Sequence, residues 1–253
     1  MLARLIELEA PLDSFFTYLE TPEGKKEFKD LSQDKYPKPN EWFVIKCLVA
    51  MLDPIAAVTK VLGGCYYPTL ALAFPMLRRI KKVLQDSSIF TKQAALAGRQ
   101  EFQADMLSLM QQARQAILDL FKSRFTGMDF DLVWISFLDP RFHKMKLLKQ
   151  DEIDLARHLR LNCSNEFVAY LEAAKSVPRK QDPLVWWSVN GHNYPSLALL
   201  ARKWLGCVAT SVPSERAFST AGNTVTAKRC QMDVNLVRDL VFIAENAGLK
   251  KGK

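Results

Sequence analysis

Apolar residues recur every three or four positions along most of this chain, the spacing of one buried face on an α-helix. From Glu41 to Leu62, Trp42, Ile45, Leu48, Val49 and Leu52 share such a face. Pro54 then removes a backbone donor and crowds the preceding turn, which predicts a kink or an end near Leu52–Asp53. Gly63–Gly64 is a stop. The run YPTLALAFPMLRRIKKVL predicts a fresh helix with Pro68 suited to its first turn and Leu72, Met76, Ile80, Val83 and Leu84 apolar. The stretch from Gln93 to Phe125 reads as one long amphipathic helix carrying Phe102, Met106, Leu109, Ile117, Leu120 and Phe121. At the start of the chain, Leu2, Leu5, Ile6 and Leu8 form an apolar stripe.

The texture changes at MDFDLVWISFLDPRF. Val133 to Leu138 is a short run of β-branched and aromatic residues ending at Asp139–Pro140, the best strand candidate, although a helix starting at Asp129 or Asp131 fits the same letters. LKQDEIDLARHLRLN and SNEFVAYLEAAKS return to helical spacing. SVPRKQDP, residues 176–183, has two prolines and no apolar period, and it divides a helical region, 1–175, from a second region, 184–249, with a basic tail at 250–253. Asp182 and Pro183 supply an N-cap and a first helical residue, and Pro195 repeats the device ahead of Leu197, Leu200, Ala201 and Trp204. The last helix, Asp233 to Ala247, carries Leu236, Leu240 and Ile243 on one face with Val237, Val241 and Ala244 beside them, and Gly248 closes it. The fold class is mainly α, with at most one or two short strands.

Hydrophobic residues make up 49% and charged residues 25% of the 253, a balance that folds rather than stays disordered. The net charge of +8 favours an anionic partner, nucleic acid before membrane, with a solvated basic face as the plainer alternative. Arg78, Arg79, Lys81 and Lys82 in one cluster, and Lys144 and Lys146 in another, are the candidates for phosphate contacts. Cysteines at 47, 65, 163, 207 and 230 are scattered and form no C-x-x-C, which suggests reduced thiols in the nucleus or cytoplasm. No leader is evident, and CLVAMLDPIAAV is interrupted by Asp53 and Pro54, so no membrane span is expected. His143, His158 and His192 lack zinc-site spacing, and the carboxylate pairs Asp129/Asp131 and Asp151/Asp154 read equally as helix starts or surface. Without a phosphate loop or a nucleophile elbow, neither a cofactor nor a small-molecule substrate is expected.

Two features invite a sharper reading. Trp186, Trp187 and Trp204 fall within one short segment, where they fix a core or protein interface, or else offer a base-stacking platform. Glu215, in VPSERAFSTAGN, falls in the first turn of a helix, where a carboxylate gains about 0.3–1 kcal/mol from the dipole. It shares its face with Ser219 and Gly222, small neighbours that leave it approachable.

The landmarks Trp186–Trp187, Tyr194–Pro195-x-Leu197, Leu200–Ala201–Arg202, Ala209–Thr210–Ser211, Ser214–Glu215–Arg216-x-Phe218–Ser219, Ala221–Gly222, Lys228–Arg229 and a closing apolar helix ending in Asn246 come in fixed order. Trp186 to Leu249 closely resembles the C-terminal dimerisation region of hAT-superfamily DNA transposases and their domesticated zinc-finger BED relatives. FLDPRF and the Glu41–Leu62 stretch resemble the helical segment that precedes it. The resemblance implies a helical insertion in residues 1–175 and the C-terminal remnant of a split RNase H-like fold after it. It implies that Glu215 matches the third acidic ligand of a site for two Mg²⁺ ions, whose two aspartates precede the point where this sequence begins. The implied product is an N-terminally truncated dimerisation module rather than an enzyme, with Glu215 vestigial and Mg²⁺ needed only in the ancestor. Trp204, Leu236, Leu240 and Ile243 are the implied dimerisation residues. The implied partner is a second copy or a related transposase-derived protein. DNA binding, or strand transfer completed by a missing N-terminal half, is the alternative.

Overall fold

The computed structural model describes residues 1–29, 37–142, 164–224 and 233–246. The chain divides into two compact units, Met1–Val58 with Leu77–Thr126, and Thr59–Met76 with Gly127–Lys253. Two helices, α4 and α5, contribute residues to both, and the turns at 176–182 lie inside the second.

The first unit contains α1 (Leu2–Glu7), α2 (Glu9–Leu19), α3 (Pro22–Glu27), most of α4 (Pro39–Leu62), the later part of α5 (Thr69–Gln85), α6 (Thr91–Ala97) and α7 (Gln103–Phe125). Its core gathers Trp42, Phe43, Cys47 and Met51 on α4 with Leu84, Phe90, Met110 and Leu118. Burial pushes the Cys47 thiol up to about 11. Arg114 of α7 is buried, gives its Nη1 to the Leu84 carbonyl near the end of α5, and gives its Nε to Gln111 at 2.7 Å. A cation there meets the negative pole of that helix. Lys46 ties α4 to α2 through Glu9 at 2.7 Å.

Three expectations need correction here. The helix from Gln93 to Phe125 is two helices, α6 and α7, because Gly98 adopts φ of +68°, a left-handed conformation that a helix cannot carry through. Conversely, of the kink or end predicted near Leu52–Asp53 the end does not occur, and α4 runs on past Pro54 to Leu62. Apolar contacts on both sides of the proline, from Met51 and from Val58, offset the lost hydrogen bond. Finally, α4 is long and apolar enough, by length and composition, to cross a membrane. A helix packed into a protein core passes the same test, and α4 buries six side chains: Trp42, Phe43, Cys47, Met51, Val58 and Leu62.

The second unit holds α8 (Asp129–Phe137), a 3₁₀ turn (Pro140–Phe142), α9 (Ser164–Ala174), α10 (Pro183–Asn190), a 3₁₀ turn (Gly191–Asn193), α11 (Pro195–Leu205), α12 (Val212–Thr224) and α13 (Val234–Asn246). No strand occurs among the described residues, and Val133–Leu138, the strand candidate, lies on α8 and its C-terminal cap. The competing signal was the stronger one. The end of α8 is held by buried donors: Tyr170 Oη gives to the Phe137 carbonyl at 2.6 Å and Trp187 Nε1 to the Leu138 carbonyl at 2.7 Å. Ser136 Oγ gives to the Ala71 carbonyl at 2.7 Å. A helix terminus buried with its carbonyls satisfied is stable where propensity alone would hesitate.

Around that terminus Tyr170 stacks on Trp187 at 5.2 Å and meets Trp186 and Tyr194 edge-on at 5.6 and 5.8 Å. Burial, with Asp139 nearby, raises the Tyr170 phenol well above its ordinary value. Asp139 is fully buried and accepts from Arg141 Nη2 at 2.6 Å, Nε at 2.9 Å and the Arg141 backbone N–H at 3.0 Å. As the sequence predicts, Asp182 caps α10 through the Leu184 and Val185 N–H groups, and Pro195 opens α11. The first turn of α11 is also capped by tertiary contact, since Glu166 accepts from the Leu197 N–H at 2.8 Å. The predicted helix over 148–162, the Gly248 stop and the basic tail lie outside the described residues.

Candidate functional site

The last two described helices form a pair that differs from everything before it. α12 begins after Ser211, and Glu215 closes the first turn by donating its N–H to the Ser211 carbonyl at 2.9 Å. α13 starts on Asp233, whose carboxylate accepts from the Asn235 N–H at 2.8 Å. The two helices pack on each other more extensively than either packs on any other helix of the described chain. Val237 and Val241 are half-buried.

Five large apolar side chains of the pair are exposed instead. Leu236, Leu240 and Ile243, spaced four and three apart, are 50%, 38% and 59% exposed, Phe242 is 67% exposed and Phe218 on α12 76%. Burying such a side chain contributes about 1.5–3 kcal/mol, so leaving five in water is costly unless another surface covers them. A stripe at four-and-three spacing is the geometry by which one helix seats in the groove of another. Phe218 belongs to this apolar set, and so does Phe242, although it is off the Leu236–Leu240–Ile243 face. Sequence periodicity pointed to neither, because each is isolated on its own helix face.

Trp204, grouped with the stripe on sequence, is engaged within the unit. It is half-buried, meets Trp134 of α8 edge-on at 5.4 Å, and lies beneath the Lys203 ammonium at 5.0 Å. Trp186 and Trp187 are buried in the aromatic cluster, so those two rings present no open stacking platform.

Glu215 is exposed, and its carboxylate accepts from Ser211 Oγ at 2.5 Å. That contact ties the helix start together, the bland role that the sequence allows. Among the described residues no group of three or more His, Cys, Asp and Glu side chains is placed to hold a metal ion. Of the basic candidates on α5, Arg79 and Lys82 are exposed while Arg78 and Lys81 are half-buried. Lys144, Lys146, Lys228, Arg229, His143 and His158 lie outside the described residues, as do Asp151 and Asp154.

Residues 166–247 match the hAT family C-terminal dimerisation region. The match opens at Glu166, the residue that caps α11, and takes in the aromatic cluster from Tyr170 onward as well as the α12–α13 pair. The human zinc finger BED domain-containing protein 4 is 30% identical over 82 residues, which are 32% of this chain and 7% of that protein. The maize putative AC transposase is 23% identical over an alignment of 251 positions, covering 81% of this chain and 31% of the maize protein. The chain thus spans less than a third of the length of either relative.

Proposed function

We propose that this chain, whose residues 166–247 are a hAT family C-terminal dimerisation region, serves as a transposase-derived self-association module. Two copies, or one copy and a related transposase-derived protein, join by covering the apolar surface of α12 and α13. The observation that carries this reading is the exposed set Leu236, Leu240, Ile243, Phe242 and Phe218, all inside the matched stretch. Association of this kind needs no metal, no cofactor and no small-molecule substrate. The nuclear setting of transposase-derived proteins suits it.

The test is the mass of the chain in solution, followed by light scattering over a concentration series. A dimer that the double substitution Leu236→Asp/Leu240→Asp converts to a folded monomer supports the module. A folded double variant that associates as before places the joining surface elsewhere and defeats the reading.

A second reading makes the chain a DNA-bound transposase component, in which Glu215 contributes to metal-dependent strand transfer. It draws on the name of the maize relative, which aligns along most of the chain, and on exposed Arg79 and Lys82. Binding to duplex DNA that weakens steeply with salt, and Mg²⁺-dependent nicking lost in Glu215→Gln, are its signatures.

A further inference from the structure

Among the described residues, the α12–α13 pair is joined to the rest of its unit by the segment that leads into α12. Its helices pack chiefly on each other, so the direction in which the exposed stripe points is set by the segment that leads into α12. That segment, Ala209–Val212, is seated on the turn between α4 and α5, far away in sequence. Thr69, the first residue of α5, is fully buried, and its Oγ1 accepts the Ala209 N–H at 2.9 Å. Thr210 Oγ1 gives to the Leu62 carbonyl at 3.4 Å. A methyl group on Gly63 would come within 3.3 Å of Val212 Cγ1. The turn itself is braced, since Tyr67 Oη gives to the Val61 carbonyl at 2.7 Å and the Tyr67 ring occupies the space where a side chain on Gly64 would go.

We infer that the dimerisation region of this chain is completed by the turn between α4 and α5, with Thr69 as the residue that positions the α12–α13 pair for self-association. That turn lies outside residues 166–247, yet residues 59–76 belong to the same compact unit. The inference rests on the self-association reading above. A threonine is suited to the task. Its hydroxyl accepts the half-buried Ala209 N–H, and the residue itself is fully buried. Valine keeps the shape and removes the acceptor, which leaves the half-buried Ala209 N–H without this partner.

The experiment uses the full chain with Thr69→Val, Thr69→Ser and, should the first not fold, Thr210→Val. Two quantities are read: the dimer dissociation constant, and hydrogen exchange at the amides of residues 208–212 against those of α8 and α9. Thr69→Val is expected to weaken association about tenfold, equivalent to 1.4 kcal/mol, and to speed exchange at Ala209 by a comparable factor. The α8 and α9 amides keep their protection, and Thr69→Ser restores both quantities. Unchanged association in Thr69→Val, while Leu236→Asp/Leu240→Asp still gives monomers, overturns the positioning role and leaves the self-association reading standing. Association that survives Leu236→Asp/Leu240→Asp overturns both. Loss of protection throughout α8 and α9 in Thr69→Val and Thr210→Val alike makes the contact a general packing feature and likewise overturns the inference.

Discussion

The matched region contains two apolar surfaces of similar richness that are treated in opposite ways. Around Tyr170, the rings of Trp186, Trp187 and Tyr194 close on one another and on the end of α8, and their polar atoms are spent inside the unit: Tyr170 Oη and Trp187 Nε1 both go to α8 carbonyls. On α12 and α13, Leu236, Leu240, Ile243, Phe242 and Phe218 keep between 38% and 76% of their surface exposed. Aromatic content therefore does not mark the surface that joins two chains. What marks it is apolar area that stays exposed beside its described neighbours. The rule also separates Trp204, which finds Trp134, from the leucines it resembles in periodicity.

Replacement inside the closed cluster has the largest effect. Trp187→Ala removes a buried indole, its stacking on Tyr170 and the donor to the Leu138 carbonyl. The expected loss is about 3–5 kcal/mol of unfolding free energy, from the cavity and the orphaned carbonyl together. Denaturant titration followed by far-ultraviolet circular dichroism measures it. If a Trp187→Ala chain kept its midpoint, the cluster would be no more closed than the α12–α13 pair, and the contrast would fail.

The two surfaces were unequally legible in the sequence, for a physical reason. α10, α11 and α13 carry local signals, a capping Asp182, Pro183 and Pro195 at first helical positions, and the four-and-three spacing of Leu236, Leu240 and Ile243, and all three formed where those signals place them. α8 did not, because what decides it is non-local. Tyr170 and Trp187 lie 33 and 49 residues beyond the carbonyls they satisfy, and no window around Val133–Leu138 contains them. The break at Gly98 shows the converse, a single left-handed residue overriding a long apolar period. The candidate surface was readable for the same reason that it is exposed: its stripe is complete within one helix and depends on no distant partner. Thr69 was invisible, since its partner Ala209 is 140 residues away.

Alkaline pH is a milder probe of the same contrast. The Tyr170 phenol is raised well above 10.0, first by burial and then by the Asp139 charge. The folded state thus holds the phenolic proton more tightly than the unfolded chain does. The stability this contributes is fully present below pH 10 and is lost as pH rises through the folded value. Chemical stability should fall above pH 10, whereas Tyr170→Phe, which has no proton to lose, should show a shallower decline. An identical decline in both would mean that other alkaline titrations govern the cluster.

The smallest effect on stability is expected at Phe218. Because 76% of its surface is in water, Phe218→Ser deletes little that the folded monomer has buried, and the unfolding free energy should stay within about 0.5 kcal/mol of the parent. Association is where it should show. A phenyl ring that is covered only in the complex contributes its burial to the complex alone, so the Kd should rise, with about 1.5–3 kcal/mol as the upper bound for a ring fully covered on joining. Sedimentation equilibrium measures the Kd, and denaturant titration the unfolding free energy, of Phe218→Ser and the parent at matched concentrations. A large loss of stability with no change in Kd would assign Phe218 to the closed kind of surface and shrink the open one to α13. The opposite pattern, with Kd raised and stability kept, would extend the joining surface across both helices, so that their relative placement, and the root that fixes it, becomes part of the recognition.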